Sequence, residues 1–182
     1  MLIPELNRHL YVCGVRDLPA ILRRDPKFWN VISIFDPTDP PPTITGARSL
    51  LRLSFYDVED DQWAVNAGAR AAHPGDLAQV FEYVDSRPGE AILIHCRAGV
   101  SRSTAVALAL LIRGHVLAGV VDPVNRAISR LLALRPQAVP NSLVLRHAIR
   151  QFANDQQAAS YLSIIAGHPV VLQNRANNPE RK

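Results

Sequence analysis

Residues 91–103 read Ala91-Ile92-Leu93-Ile94-His95-Cys96-Arg97-Ala98-Gly99-Val100-Ser101-Arg102-Ser103, and run on into Thr104-Ala105-Val106-Ala107-Leu108-Ala109-Leu110-Leu111. The first four are an apolar run of strand length. The last eight are rich in alanine and leucine, the strongest helix formers. The spacing therefore predicts a buried strand, a short loop and a buried helix. A cysteine stands at the strand end, and Arg102 stands where the helix begins.

That placement has a chemical consequence. The first turn of a helix has unpaired N–H donors and a partial positive charge, and loop amides can converge on the same point, so the junction suits an anion. A thiol in such a field gives up its proton readily; cysteine pKa values of roughly 3.5–7.5 occur in sites of this kind. Arginine offers a planar fork that matches two phosphoryl oxygens, which lysine does not. It is unfavourable at a helix N-terminus unless an anion offsets it. Gly99 permits a tight loop, and the Ser103 hydroxyl can donate to the Cys96 sulfur.

Outward from this stretch, strands and helices alternate. Residues 9–13, 29–35 and 50–55 read as strands. Helices are expected from Asp17 as N-cap, over about 74–86 with Leu77, Val80, Phe81 and Val84 on one face, from Asp122-Pro123, from Asn141 and over 154–166. The segment Asp36-Pro37-Thr38-Asp39-Pro40-Pro41-Pro42 is a stiff loop, because proline suits neither helix nor central strand. Asp57-Val58-Glu59-Asp60-Asp61 is an acidic loop. The pattern predicts an α/β fold with a parallel-rich central sheet of about four or five strands flanked by helices, and a ligand site at the C-terminal strand ends. One domain is expected over residues 1–167, with a loose tail over 168–182.

Composition narrows the class. The chain of 182 residues is 48% hydrophobic and 20% charged, as soluble globular proteins are. A net charge of +4 suits an anionic substrate and is too small to indicate nucleic acid. The two cysteines, Cys13 and Cys96, make no disulfide framework, and no Cys/His spacing suggests a metal. Residues 104–121 are nearly all apolar, but Arg113, Gly114 and His115 interrupt them, so a core helix is expected rather than membrane insertion. The N-terminus has no signal-peptide pattern, and a reducing cytoplasm is expected.

The loop resembles the signature of the cysteine-dependent protein tyrosine phosphatases, His-Cys-x-x-Gly-x-x-Arg-Ser/Thr. His95, Cys96, Gly99, Arg102 and Ser103 match every fixed position. In element order the resemblance spans roughly residues 9–150, and the compact chain looks most like the small dual-specificity branch, its bacterial members in particular. It implies a phosphotyrosine-phosphatase-like fold and hydrolysis of a phosphorylated protein or small phosphate ester through a cysteinyl-phosphate, with no cofactor. Cys96 would be the nucleophile and Arg102 the phosphate ligand. The loop residues Arg97, Ala98, Gly99, Val100 and Ser101 would bind the phosphoryl oxygens, and Ser103 would help the thiolate leave.

The resemblance also implies an aspartate as general acid on a loop before the cysteine. Asp57, Asp60 and Asp61 are the candidates, with Asp57 favoured because it lies just past the third strand, and Asp60 next. His95 would hydrogen-bond within the loop and tune the thiol. Arg135-Pro136-Gln137-Ala138-Val139-Pro140-Asn141 resembles the family's Arg-Pro…Pro-Asn segment, where Asn141 would brace the loop; a plain helix N-cap is the other reading of that residue. Cys13 reads as a core cysteine, with a redox partnership to Cys96 as its alternative. A non-catalytic phosphate-binding module, a sulfur-transfer or arsenate-reducing enzyme, and a phosphoinositide phosphatase remain as rival readings.

Overall fold

Strand β5, Ile92–Cys96, forms the middle of a five-stranded sheet, in a computed structural model that describes residues 1–178. The order is β1 (Leu2–Ile3), β2 (Arg8–Gly14), β5, β3 (Asn30–Phe35), β4 (Ser49–Ser54). The last four are mutually parallel, and β1 pairs antiparallel at the edge. Every residue of β5 is buried, because both faces of the sheet are covered; this is why it reads as a continuous apolar run rather than an alternating one.

On one face pack α3 (Pro74–Asp85), α4 (Arg102–Leu117), α5 (Pro123–Leu134) and α6 (Ser142–Ile149), which join Leu10, Val12, Ile32, Ile34, Ile92 and Ile94 in the main core. Helix α4 is buried nearly all round, as its unbroken apolar sequence requires. The opposite face is closed by α1 (Leu18–Arg24), with Trp29, Val31 and Leu93. The α/β architecture with a parallel-rich sheet flanked by helices is as the sequence predicts. No helix among the described residues is long and apolar enough to cross a membrane.

Several local expectations differ from the structure. Strand β1 has two residues, too few to carry a periodic signal. Helix α2 (Asp61–Asn66) starts inside the segment expected to be an acidic loop, because Asp60 caps it, accepting from the N–H groups of Gln62 at 2.8 Å and Trp63 at 3.1 Å. Asp17 stands at the N-cap position of α1 as expected, but with helical backbone angles and no side-chain capping hydrogen bond. After α7 (Asp155–Gly167), the segment expected to be a loose tail forms helix α8 (Pro169–Ala176). Its sequence has little apolar periodicity; buried Val171 and side-chain bonds to distant segments anchor it instead. The final part of the expected tail, 179–182, lies outside the described residues.

Candidate active site

The parallel strands end on one edge of the sheet, and the loops that follow β5, β3 and β4 collect there. In loop 97–101 every carbonyl is held from outside. Arg97 O accepts from Val15 N at 3.2 Å, and Val100 O accepts from Val139 N at 2.8 Å. Ala98 O and Gly99 O both accept from the Arg135 guanidinium at 3.0 Å, and Ser101 O accepts from Asn141 N at 3.4 Å as well as from Ala105 N of α4 at 2.9 Å. No peptide among the described residues is cis. In a planar trans peptide the N–H points opposite to the C=O, so pinning five carbonyls outward turns the amides of residues 98–102 inward. The result is a concave set of donors at the N-terminus of α4, which suits an anion.

Gly99 makes this loop fit. Its φ is +72°, and a Cβ there would fall on Cys13 C and within 2.5 Å of Gly14 N. A left-handed conformation costs a non-glycine residue about 1–2 kcal/mol, and the backbone clash adds to it. Gly99→Ala is expected to lower the melting temperature by roughly 5 °C or more, at about 2–4 °C per kcal/mol for a chain of this size. Circular dichroism melting checks this, and an unchanged melting point would show that β2 and the loop can separate at little cost.

Cys96 is buried at the end of β5, with its Sγ 3.2 Å from Ser103 Oγ, the contact the sequence predicts. Arg102 is also buried. Its Nη1 donates to Asp36 Oδ1 and to Phe55 O, both at 2.7 Å. Among the described residues Nε and Nη2 donate no hydrogen bond, although Nε lies 4.0 Å from Asp57 Oδ2. One edge of the guanidinium thus orients the group, and the other edge keeps two donors for a ligand. Asp36 was not singled out from sequence. It follows β3 within the proline loop, and nothing local marks it as a partner for a residue 66 positions away.

The three acidic candidates separate in space. Asp57 follows β4, and its Oδ1 accepts from Ser101 Oγ at 2.6 Å and Asn141 Nδ2 at 2.8 Å. Asp60 is occupied as the α2 cap. Asp61 faces α6, 3.8 Å from Arg146 and from His147. Asn141 combines two tasks. Its Oδ1 caps α6 by accepting from Val144 N at 2.9 Å, while its Nδ2 holds Asp57 and Val58 O. Its side chain therefore braces the acidic loop rather than the signature loop, where the side-chain brace is Arg135. The Arg-Pro…Pro-Asn segment carried the signal for both, but sequence does not say which end reaches which loop.

Strand alternation explains two further departures. Cys13 pairs with His95 and Gly14 pairs with Cys96, so Cys13 and His95 share the face opposite to Cys96. Cys13 packs with Leu18 and Trp29 as a core thiol, pushed up to about 12, first by burial and then by Asp17. The redox partnership with Cys96 is not the arrangement seen. His95 was expected to hydrogen-bond within the signature loop. It is fully buried, and no side chain among the described residues hydrogen-bonds its ring. Burial lowers its pKa to about 4, against a smaller opposite pull from the Cys96 main chain, so it stays neutral.

Cys96, Arg102, Asp57 and Asp36 all line one cavity of about 210 Å³, together with Arg97, Ala98, Val100, Ser101 and Asn178. The arrangement can hold a tetrahedral oxyanion against a sulfur nucleophile, with a carboxyl group at the rim.

No protein-family model matches the chain, and no curated protein sequence does. Solved structures resemble it. One is a mouse protein described as a dual specificity phosphatase, complexed with zinc tungstate, at 24% identity over 88% of this chain and 89% of that one, with a TM-score of 0.53. A second is the human tyrosine phosphatase-like serine/threonine/tyrosine-interacting protein, at 16% identity over 89% and 96%, with a TM-score of 0.56. A third is PTPMT1 in complex with PI(5)P, at 16% identity over 87% and 95%, with a TM-score of 0.51. At these identities the likeness is one of fold.

Proposed function

We propose that this chain, which has the protein-tyrosine-phosphatase fold, hydrolyses phosphate monoesters through a cysteinyl-phosphate. Protein phosphotyrosine is the favoured substrate, with phosphoserine or phosphothreonine next. The observation that carries the reading is that Cys96, Arg102 and Asp57 line one cavity. The Cys96 thiolate attacks phosphorus as the ester oxygen departs, and Asp57 gives that oxygen its proton. The Arg102 edge and the inward amides of residues 98–102 stabilise the three non-bridging oxygens. Water then attacks the phosphocysteine and Asp57 takes the proton back. The thiolate leaves with a hydrogen bond from Ser103, releasing phosphate. Arginine and amides supply the charge stabilisation in this scheme, so no step is routed through a metal. A reducing compartment such as the cytoplasm suits a mechanism that needs a free thiol.

The test is hydrolysis of para-nitrophenyl phosphate by the purified, reduced protein in EDTA, with and without vanadate. Turnover that vanadate blocks supports the reading. Folded protein that binds phosphopeptide without turnover would sink it in favour of a phosphate-binding module. A preference for phosphoinositide over phosphopeptide, measured side by side, would replace the protein substrate with a lipid headgroup.

Asp57→Asn is expected to separate substrates by leaving group. A phenol has a pKa of about 10 and leaves with less help than an alcohol, and general acids typically contribute about 10²–10⁴-fold. The variant should therefore lose about 10²-fold or more in kcat on an alkyl phosphate and markedly less on para-nitrophenyl phosphate. If Asp60→Asn shows this pattern and Asp57→Asn does not, the acid is Asp60.

A further inference from the structure

Helix α8 reaches both of the loops that shape the site. Arg175 forms a two-pronged ion pair with Glu59, Nη1 to Oε2 at 2.8 Å and Nη2 to Oε1 at 3.3 Å. Glu59 stands two residues after Asp57 and directly before the α2 cap, and it also accepts from Ser142 N at the start of α6 at 3.4 Å. One residue before Arg175, Asn174 donates to Pro136 O at 2.7 Å and Ala138 O at 3.1 Å. That is the turn following Arg135, whose guanidinium holds the carbonyls of Ala98 and Gly99. Just past the helix, Asn178 lines the catalytic cavity itself. Adjacent side chains of one helix thus bind the acidic loop and the backing of the phosphate loop, while Val171 fixes the helix to the core.

The Arg175 and Glu59 side chains are 38% and 32% exposed. Ion pairs so open to water contribute at most about 1 kcal/mol to stability, so holding the fold together is a poor account of this one. Its geometry matters more. A fork-on-fork pair constrains direction as well as distance, and it acts on the segment that carries Asp57 into the cavity. A carboxyl group displaced by about 1 Å from a leaving oxygen can lose about 10²-fold in rate.

We infer that α8 is a positioning clamp, in which Arg175 acts through Glu59 to set the place of the Asp57 carboxyl group in the cavity that Cys96 also lines. Arg175 is a positioning residue, since it touches neither Cys96 nor Arg102. The inference rests on the reading of Asp57 as proton donor, and the test separates the two. Wild type, Arg175→Ala, Arg175→Lys and the exchanged pair Arg175→Glu with Glu59→Arg are assayed on para-nitrophenyl phosphate and on an alkyl phosphate. Arg175→Ala is expected to lower kcat on the alkyl ester about tenfold and on the nitrophenyl ester by less than about threefold. Arg175→Lys and the exchanged pair should recover part of that loss. Added to Asp57→Asn, Arg175→Ala should cost nothing further on the alkyl ester, because the two act through one proton transfer. Equal losses on both esters, no loss, or an additive loss in the Asp57→Asn background would overturn the clamp. If instead Asp57→Asn alone leaves the leaving-group dependence unchanged, the proton-donor reading itself has failed.

Discussion

Cys96→Ser is expected to remove turnover by at least about 10⁴-fold in kcat while leaving the protein folded, because a hydroxyl lacks both the nucleophilicity and the easy ionisation of a thiol. Serine differs from cysteine by one atom of similar shape, and the partner at position 103 can still hydrogen-bond it across the 3.2 Å seen for the thiol. The carbonyls that turn the loop amides inward are held by Val15, Arg135 and Val139, none of which touches the sulfur in doing so. The variant should therefore keep its affinity for tungstate or phosphate, measured by calorimetry, and keep its melting temperature within a few degrees. Loss of chemistry with retained oxyanion binding separates the nucleophile from the anion site around it. Turnover within tenfold of wild type would take Cys96 out of the mechanism.

The second large effect is expected for Arg102→Lys, about 10³-fold in kcat, in the range seen when a guanidinium that stabilises a transferring phosphoryl group is lost. Charge is preserved in this change; what is lost is the division of labour between the two edges of one planar group. Nη1 is committed to Asp36 and Phe55 O, and Nε and Nη2 remain for the ligand. A single ammonium cannot serve both sides at once. If it stays with half-buried Asp36, the phosphoryl oxygens lose a two-point contact. If it turns to the ligand, Asp36 is left unpaired in a site where breaking a buried pair is costly. Because this contact serves the non-bridging oxygens, the loss should be equal for alkyl and aryl esters, unlike that of Asp57→Asn. Assays well below the melting temperature of the variant keep stability out of the comparison. A loss confined to alkyl esters would assign Arg102 to leaving-group chemistry instead.

These two residues were legible in the sequence because their relation is local. Cys96, Gly99, Arg102 and Ser103 lie within eight residues, and the strand and helix on either side declare themselves through apolar runs. Leu77, Val80, Phe81 and Val84 likewise mark the buried face of α3 by their spacing alone, and all four are buried. Asp57, the one of the three acidic candidates that lines the cavity, could not be told from the others by sequence. Its neighbours Asp60 and Asp61 are the same residue type in the same loop, and only the start of α2 and the approach of α6 assign them elsewhere. Asn141 shows the opposite case, where a motif was visible but the direction of the side chain was not.

Local sequence was enough for the alternation of strand and helix, for the loop between β5 and α4, and for the thiol and guanidinium that line one cavity beside it. Each of these follows from periodicity, propensity and spacing over a few residues. Tertiary structure decided everything that depends on which distant segments meet. It made Asp36 the partner of Arg102, Arg135 the backing of the phosphate loop, and Arg175 the partner of Glu59 at a separation of 116 residues. It also placed Cys13 and Cys96 on opposite faces through the register of β2 on β5. The physical reason is that a hydrogen bond or ion pair depends on position and angle in space, and for residues far apart in the chain those are set by the packing of the whole core.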